Sequence, residues 1–479
     1  MSTPTRREPP AVGDDQPVVF PPVTRIRLTN RLAVWSVERR RLPFVSVSLL
    51  VPAGSAIDPT DLPGLALLTA DMLDEGAAGR SAIEIQEAFG RLGTAIETEA
   101  ASDAVMLSLS VLPRHAEEAC ALVAGLVMRP TLAVEDFERV RTLRLNRLRQ
   151  LRNSPSAVAD QAFMQAIFGT HPYGHQPWGL THGIERMAIA DVVRVHEAAY
   201  QPASCTMTVV GSLEPADVAR IAESAFGTWA RPAGWEMRSD LFSPSATRPV
   251  AWQEVKIGPT SFPASPAPHA SASRVILVDR PGAAQTELRI GHVAVPRSTP
   301  DYHALVLLNA ILGGQFVSRI NLNLREQKGY TYGAHTAFDF RRLAGSFVLQ
   351  TSVQTDATAD AIGESLGEIA AIRGERPPTA QEIDLGRATL TRGYARNFET
   401  TGQVGRALAQ LAMYDLPDDT FDRFVPGIRS VRAGDLTAVA ERHLHPDGLV
   451  VVAVGDRAKL ESGLAALGLG EPVVTTVDV

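Results

Sequence analysis

In the segment LREQKGYTYG a guanidinium and a phenol, Arg325 and Tyr332, stand seven positions apart. A guanidinium can hold a peptide carbonyl or carboxylate through two parallel hydrogen bonds. A phenol can donate to a carbonyl oxygen that becomes an oxyanion during hydrolysis. Spacing alone fits a surface arginine and a core tyrosine equally well, so the pair needs its context. Just upstream, Gly313 and Gly314 would let a helix end and its backbone turn close to a cleft. Of the eleven histidines, only His171/His175 and His443/His445 form close pairs. HPYGH holds a proline and a glycine and reads as a loop, whereas His443 and His445 close a helix before Pro446, where cations meet the helix dipole. Neither pair has an acid at a spacing typical of catalytic zinc. His335 either lines a cleft or is a satisfied strand residue. Cys120 and Cys205 make neither a disulfide framework nor a zinc ribbon, and read as buried thiols.

The elements around these residues are legible from periodicity. Residues 24–52 alternate apolar and polar positions, which predicts two strands, and VMLSLSVL predicts another. Helical patterns run through Leu65 to Leu73, Ala82 to Leu92, and residues 115–128, 134–152 and 156–167. With 479 residues the chain exceeds one hydrophobic core. It is 45% apolar and 21% charged, the composition of a soluble globular protein. A formal charge of -7 argues against a nucleic-acid partner, whose binding rests on a basic face. No run is long enough to span a bilayer, and the N-terminus has no apolar signal core, so a cytoplasmic location is expected. The expected layout is a disordered tail at 1–23, a first domain at 24–240, a Pro/Ser/Ala-rich linker at 241–273 and a second domain at 274–479.

The two domains repeat. GIERMAIADVVRVHEAAYQPASCTMTVVG from Gly183 aligns without a gap on GIRSVRAGDLTAVAERHLHPDGLVVVAVG from Gly427, with eight identical pairs that include Asp191/Asp435 and Gly211/Gly455. Each copy has an aspartate poised to cap a helix, an amphipathic helix, a proline stop and a buried strand ending in glycine. Duplication predicts an α+β fold of two similar domains, each a mainly antiparallel sheet with helices packed on one face.

The segment GGQFVSRI followed by LREQKGYTYG closely resembles the substrate-binding motif of the pitrilysin/insulinase zinc metallopeptidases, the mitochondrial-processing-peptidase-like group. LPFVSVSLLVPAGSAIDP, HPYG and RPGAAQTEL extend the likeness over nearly the whole chain. It implies that the domains face each other across a chamber where Arg325 and Tyr332 meet substrate. Active members carry an inverted zinc motif, His-x-x-Glu-His, on the helix after the first strands. In GLALLTADMLDEG the histidine positions fall on Leu67 and Asp71, and the glutamate position on Ala70. The third ligand, a glutamate, falls at or beside Arg147 in ERVRTLRLNRLRQLRN. A cation at a ligand position repels zinc, so no metal is expected in this chain. Opposite charge at equivalent positions suggests an Asp71–Arg147 ion pair bridging two helices in place of the metal. GTAIETEAASDAV corresponds to the strand on which active members pair a peptide; here Glu97, Glu99 and Asp103 make it acidic, either guarding an unused edge or attracting basic peptides.

The resemblance then implies a non-catalytic subunit of a heterodimeric zinc endopeptidase, inactive alone. It would supply Arg325 and Tyr332 in trans to a zinc-bearing homologue, with peptides or unfolded segments as substrate and with neither nucleic acid nor membrane as partner. The alternative is an architectural or peptide-binding pseudo-peptidase without a proteolytic role.

Overall fold

A computed structural model of the chain describes residues 18–229 and 274–476. The expected linker, 241–273, lies outside the described residues. Of the expected tail, residues 18–23 are described, and here the expectation is corrected: Phe20 is buried against Phe398 and Phe421, and its backbone N–H donates to Asp422. An aromatic ring finding an apolar pocket outweighs the polar composition around it.

The first half places strands β1 (Thr24–Arg27), β2 (Ala33–Glu38), β3 (Val45–Val51), β6 (Glu97–Ala100), β7 (Val105–Val111) and β8 (Thr206–Gly211) in one sheet, in the order β1-β2-β8-β3-β7-β6. A two-residue hairpin, β4 (Gly76–Ala77) and β5 (Arg80–Ser81), stands apart. Its helices are α1 (Leu65–Asp71), α2 (Ala82–Arg91), α3 (Ala116–Met128), α4 (Val134–Arg152), α5 (Pro155–Phe168), α6 (Thr181–Arg186), α7 (Ile189–Ala199) and α8 (Pro215–Phe226).

The second half repeats the plan with β9 (Val275–Asp279), β10 (Gln285–Ala294), β11 (Thr331–Asp339), β12 (Gly345–Gln354), β13 (Val450–Gly455) and β14 (Val473–Thr475), ordered β11-β12-β10-β13-β9-β14. Its helices are α9 (Tyr302–Leu312), α10 (Arg319–Asn321), α11 (Thr358–Ala371), α12 (Ala380–Thr391), α13 (Thr401–Met413), α14 (Phe424–Ser430), α15 (Ala433–His443) and α16 (Arg457–Ala465). In both sheets most neighbours are antiparallel, while β2–β8, β9–β13 and β9–β14 are parallel. The repeated aspartates accept from the backbone N–H groups at the starts of α7 and α15, Ala188 and Arg432, each at 2.8 Å. That is the capping expected of Asp191 and Asp435, made from the third helical position.

Each sheet buries one face on its own helices. Val45, Val47, Leu49, Met207 and Val209 enter the first-half core, and Leu288, Ile290, Val451 and Ala453 the second. The opposite face carries the alternate residues and is covered by one helix from the other half. Helix α5 lays Val158, Ala162, Phe163 and Ile167 on Val348, Val452 and Val454 of the second sheet. Helix α13 lays Val404, Leu408 and Leu411 on Val37 and Val210 of the first. Burying each such side chain contributes about 1.5–3 kcal/mol, which makes the exchange a main support of the fold. Gly291 makes the α5 seat possible: a Cβ there would stand 2.8 Å from the Phe163 ring and 1.9 Å from the Phe347 carbonyl oxygen. Beside it, the buried Arg289 donates to Asp160 (2.6 Å) and to the Ser156 hydroxyl (2.7 Å) of α5, and to Glu287 (2.7 Å) of its own strand. The thiols of Cys120 and Cys205 are free and buried, and burial pushes both up to about 12.

Candidate functional site

Two places answer to the residues singled out in the sequence. The first lies where α1 meets α4. Asp58 fixes the start of α1: its buried carboxylate accepts from the N–H groups of Gly64 and Ala66, each at 2.7 Å, and meets His175 at 2.9 Å. Burial raises the Asp58 carboxyl above the usual range, and His175 and the two amides oppose that rise. One turn on, Leu67 is half-buried and Ala70 fully buried, so neither offers a donor atom to a metal. Asp71 has a carboxylate, and a guanidinium takes it.

That guanidinium belongs to Arg144, which corrects the expected Asp71–Arg147 pair. Arg144 lies just under one turn before Arg147 on α4 and points at α1, with its side chain only 14% exposed. Arg147 is exposed and donates to Gln150 on its own helix at 3.2 Å. Both arginines line a cavity of about 400 Å3 together with Asp71, Asp74, Glu75 and the β6 residue Thr98. Burial pushes Asp71 above its ordinary value, Arg144 opposes that shift, and Glu75 adds to it. Glu75 is itself paired with Arg139. A zinc ion needs three protein donors here. It would meet a hydrocarbon, a carboxylate already held by arginine and a second arginine on the wall. The donor set does not fit the metal, and among the described residues no cluster of three histidine, cysteine, aspartate or glutamate side chains could hold one.

The acidic edge also divides. Glu97 and Glu99 are exposed on β6, the outermost strand of its sheet. Asp103 lies in the following turn and joins the halves, accepting from the Tyr173 hydroxyl and from the Arg342 N–H at 2.9 Å. HPYG is thus a loop whose tyrosine holds a contact between the halves, and His443 meets Asp301 at 2.7 Å at the end of α15.

The second place is the 312–336 segment. Helix α9 ends at Gly313, whose carbonyl accepts the Thr336 N–H at 3.1 Å; a Cβ at Gly313 would lie 2.5 Å from the Thr336 side chain. At Gly314 a Cβ would lie 2.5 Å from the Asn309 amide. Gly313 therefore lets the end of α9 close onto β11, the outer strand of the second sheet, and Gly314 lets the chain turn back tightly against Asn309 of α9 itself. Arg319 then grips Glu382 with two bonds, at 2.6 and 2.7 Å. From Leu322 to Gln327 the backbone forms a π-helical turn, with Leu324 buried beneath it. Such turns cluster at functional sites because the extra residue redirects side chains. Arg325, on this turn, sets its guanidinium carbon 4.0 Å over the Phe316 ring, and its Nη1 lies 3.5 Å from a Glu326 carboxylate oxygen. Its buried Nη1 has no hydrogen-bond partner.

Tyr332 is 92% exposed. The β11–β12 register slips between Thr331 and Ala334, and this bulge turns the phenol outward. His335 is exposed on the same strand. Phe316, Val317 and Leu322 are exposed apolar neighbours in sequence, so a guanidinium and an exposed phenol share a segment with apolar surface. The sequence reading missed Arg144 and Phe316; counting one turn back from Arg147 was the available signal for the first, while nothing in the spacing marked the second.

Comparison with known proteins agrees with this geometry. Residues 33–178 match the family described as insulinase (peptidase family M16), and residues 187–390 match the peptidase M16 inactive domain. An uncharacterized zinc protease of Mycobacterium leprae is 22% identical over 396 residues, covering 82% of this chain and 83% of its own. The non-peptidase homolog YmxG of Helicobacter pylori is 20% identical, covering 74% and 75%. Among solved structures, the peptidase M16 inactive domain from Pseudomonas fluorescens superposes with a TM-score of 0.77 at 25% identity, covering 91% of this chain and 98% of that one. A protease from Helicobacter pylori has the same fold, with a TM-score of 0.78 at 16% identity and coverage of 91% and 100%. This chain therefore belongs to the insulinase family, peptidase M16.

Proposed function

We propose that the chain is the non-catalytic, substrate-binding subunit of a heterodimeric zinc endopeptidase, working in the cytoplasm on peptides or unfolded segments. A zinc-bearing homologue is the other subunit, and hydrolysis belongs to it. The observation that carries this reading is the contrast between the two sites. Asp71, where the motif would place a metal ligand, is held by Arg144, while Arg325 rests on the Phe316 ring with a long 3.5 Å pair to Glu326 and Tyr332 stands exposed at a sheet edge. On this reading the guanidinium holds a substrate carbonyl or carboxylate, and the phenol donates to the carbonyl oxygen under attack.

The test is affinity purification of the tagged chain from its own cells, with mass spectrometry of what accompanies it. An equimolar homologue bearing His-x-x-Glu-His supports the reading. In that complex Arg325→Ala should lower the peptidase rate by about 10²-fold, the scale for losing one oxyanion donor, without loosening assembly. An unaltered rate refutes the role of Arg325. A chain that elutes alone and still binds peptide is a capture protein, the second reading, which the exposed Phe316 and Val317 also support.

A further inference from the structure

We propose that Asn321, which resembles neither a ligand nor a catalyst, is the positioning residue that sets Arg325 and Tyr332 against each other. The inference rests on the role proposed above for that pair. Asn321 closes α10 and is only 4% exposed. Its Nδ2 donates to the Phe316 carbonyl at 2.7 Å, and its Oδ1 accepts from the Ala334 N–H at 3.0 Å. The partners fix the orientation of the amide, since one is an acceptor and the other a donor.

The first bond holds the residue whose ring lies under Arg325. The second holds β11 where its pairing with β12 resumes, two residues after Tyr332. Because the bulge interrupts the ladder between Thr331 and Ala334, the side chain of Asn321 takes over one of the bonds that keep the strand in place there. One amide therefore ties the support of the guanidinium to the strand of the phenol. The turn between them is pinned separately from below. Asn323 donates to Glu364 (3.0 Å) and Glu368 (2.9 Å), and Lys328 to Glu364 (2.6 Å). The bulge itself is held by Thr331, whose hydroxyl donates to the Ser352 carbonyl at 2.7 Å, which leaves Asn321 as the side chain bonded both to Phe316 and to β11.

Asn321→Asp separates the two bonds. It keeps an acceptor for Ala334 but sets a carboxylate oxygen against the Phe316 carbonyl, so only the Arg325 side is loosened. The assay is fluorescence anisotropy of fluorescein-labelled β-casein, an unfolded polypeptide, titrated with the full chain. Wild type should bind, and Arg325→Ala and Tyr332→Phe should each weaken binding. Asn321→Asp should weaken it by about five- to tenfold, the scale of one lost hydrogen bond. That effect should vanish in the Arg325→Ala background and persist in the Tyr332→Phe background, a pattern that general destabilisation does not produce. Phe316→Leu, which leaves both Asn321 bonds intact, should reproduce it and covers the case in which Asn321→Asp does not fold. Equal weakening by Asn321→Asp with and without Arg325, or no weakening where Arg325→Ala has an effect, overturns the positioning role alone. Casein binding absent from wild type, or unaffected by Arg325→Ala, overturns the substrate-binding reading itself.

Discussion

Arg144→Met tests whether the metal's place is closed by charge. The substitution keeps most of the side-chain volume and removes the cation from Asp71, whose side chain is 31% exposed against 14% for Arg144. Removing one member of a buried pair costs about 3–5 kcal/mol, and the partial exposure of Asp71 places this case near the lower end, about 3 kcal/mol. Asp71→Asn leaves the arginine unpaired and should cost about 2 kcal/mol. The double substitution Asp71→Asn/Arg144→Met leaves no buried charge, so it should cost little more than about 1 kcal/mol, giving a coupling of about 4 kcal/mol.

The assay is thermal or urea denaturation of the four proteins at neutral pH, repeated at decreasing pH. At about 2.1 cal/mol/K of unfolding entropy per residue, a chain of 479 residues shifts by about 1 °C per kcal/mol, so Arg144→Met should lower the midpoint by roughly 3 °C. Burial already holds the folded-state carboxyl of Asp71 above its unfolded value. Its contribution is therefore most favourable below the unfolded value and declines as pH rises through the folded one. Loss of Arg144 raises the folded value further, so the deficit of Arg144→Met should shrink as the medium is acidified and Asp71 takes a proton. Additive single effects, or a deficit that ignores pH, would show that the pair does not close the site.

Other outcomes follow from features already described. Arg289→Ala strands the Asp160 and Glu287 carboxylates beside α5 and should cost about 3 kcal/mol or more, read as a fall in the denaturation midpoint. Cys120 and Cys205, held near 12, should resist a thiol reagent at pH 8 until denaturant is added; prompt native labelling would contradict their burial. For Glu382, burial pushes the carboxyl up, but the Arg319 bonds and the Thr379 cap outweigh it and hold the group at about 2. Its contribution, about 1–2 kcal/mol after solvent screening, is present above the unfolded value and is lost as pH falls through about 2. Glu382→Gln should therefore be less stable than wild type at pH 6 and converge with it in strong acid. Tyr332→Phe, at a 92% exposed side chain, should leave the midpoint within about 0.5 kcal/mol of wild type.

The repeat, the strand alternation and the long helices were readable because each depends on neighbours in the chain. Periodicity marks α4 and α5 as amphipathic, yet it cannot say which sheet receives the apolar face. The crossing of α5 and α13 between halves was invisible for that reason. Phe20 was misread similarly, since its pocket is built from Phe398 and Phe421, far along the chain. Residue types alone showed that Leu67 and Ala70 carry no donor atom for a metal. Choosing between Arg144 and Arg147 required the rotation of α4 about its axis, which a composition-rich arginine helix conceals. The exposure of Tyr332 depends on a bulge that no residue type announces, and the sequence placed Asp103 on an edge when it serves as a joint.

The crossing of α5 and α13 also sets a clock during synthesis. Val37 and Val210 leave the ribosome long before Val404 and Leu408, with roughly 190 residues made between Gly211 and Thr401. At about 5–20 residues per second, that interval lasts about 10–40 s, during which Val37 and Val210 lack the helix that buries them in the finished fold. The first half is thus made well before its last cover, and a chain ended before Thr401 should fold less stably than the whole protein because that cover is missing.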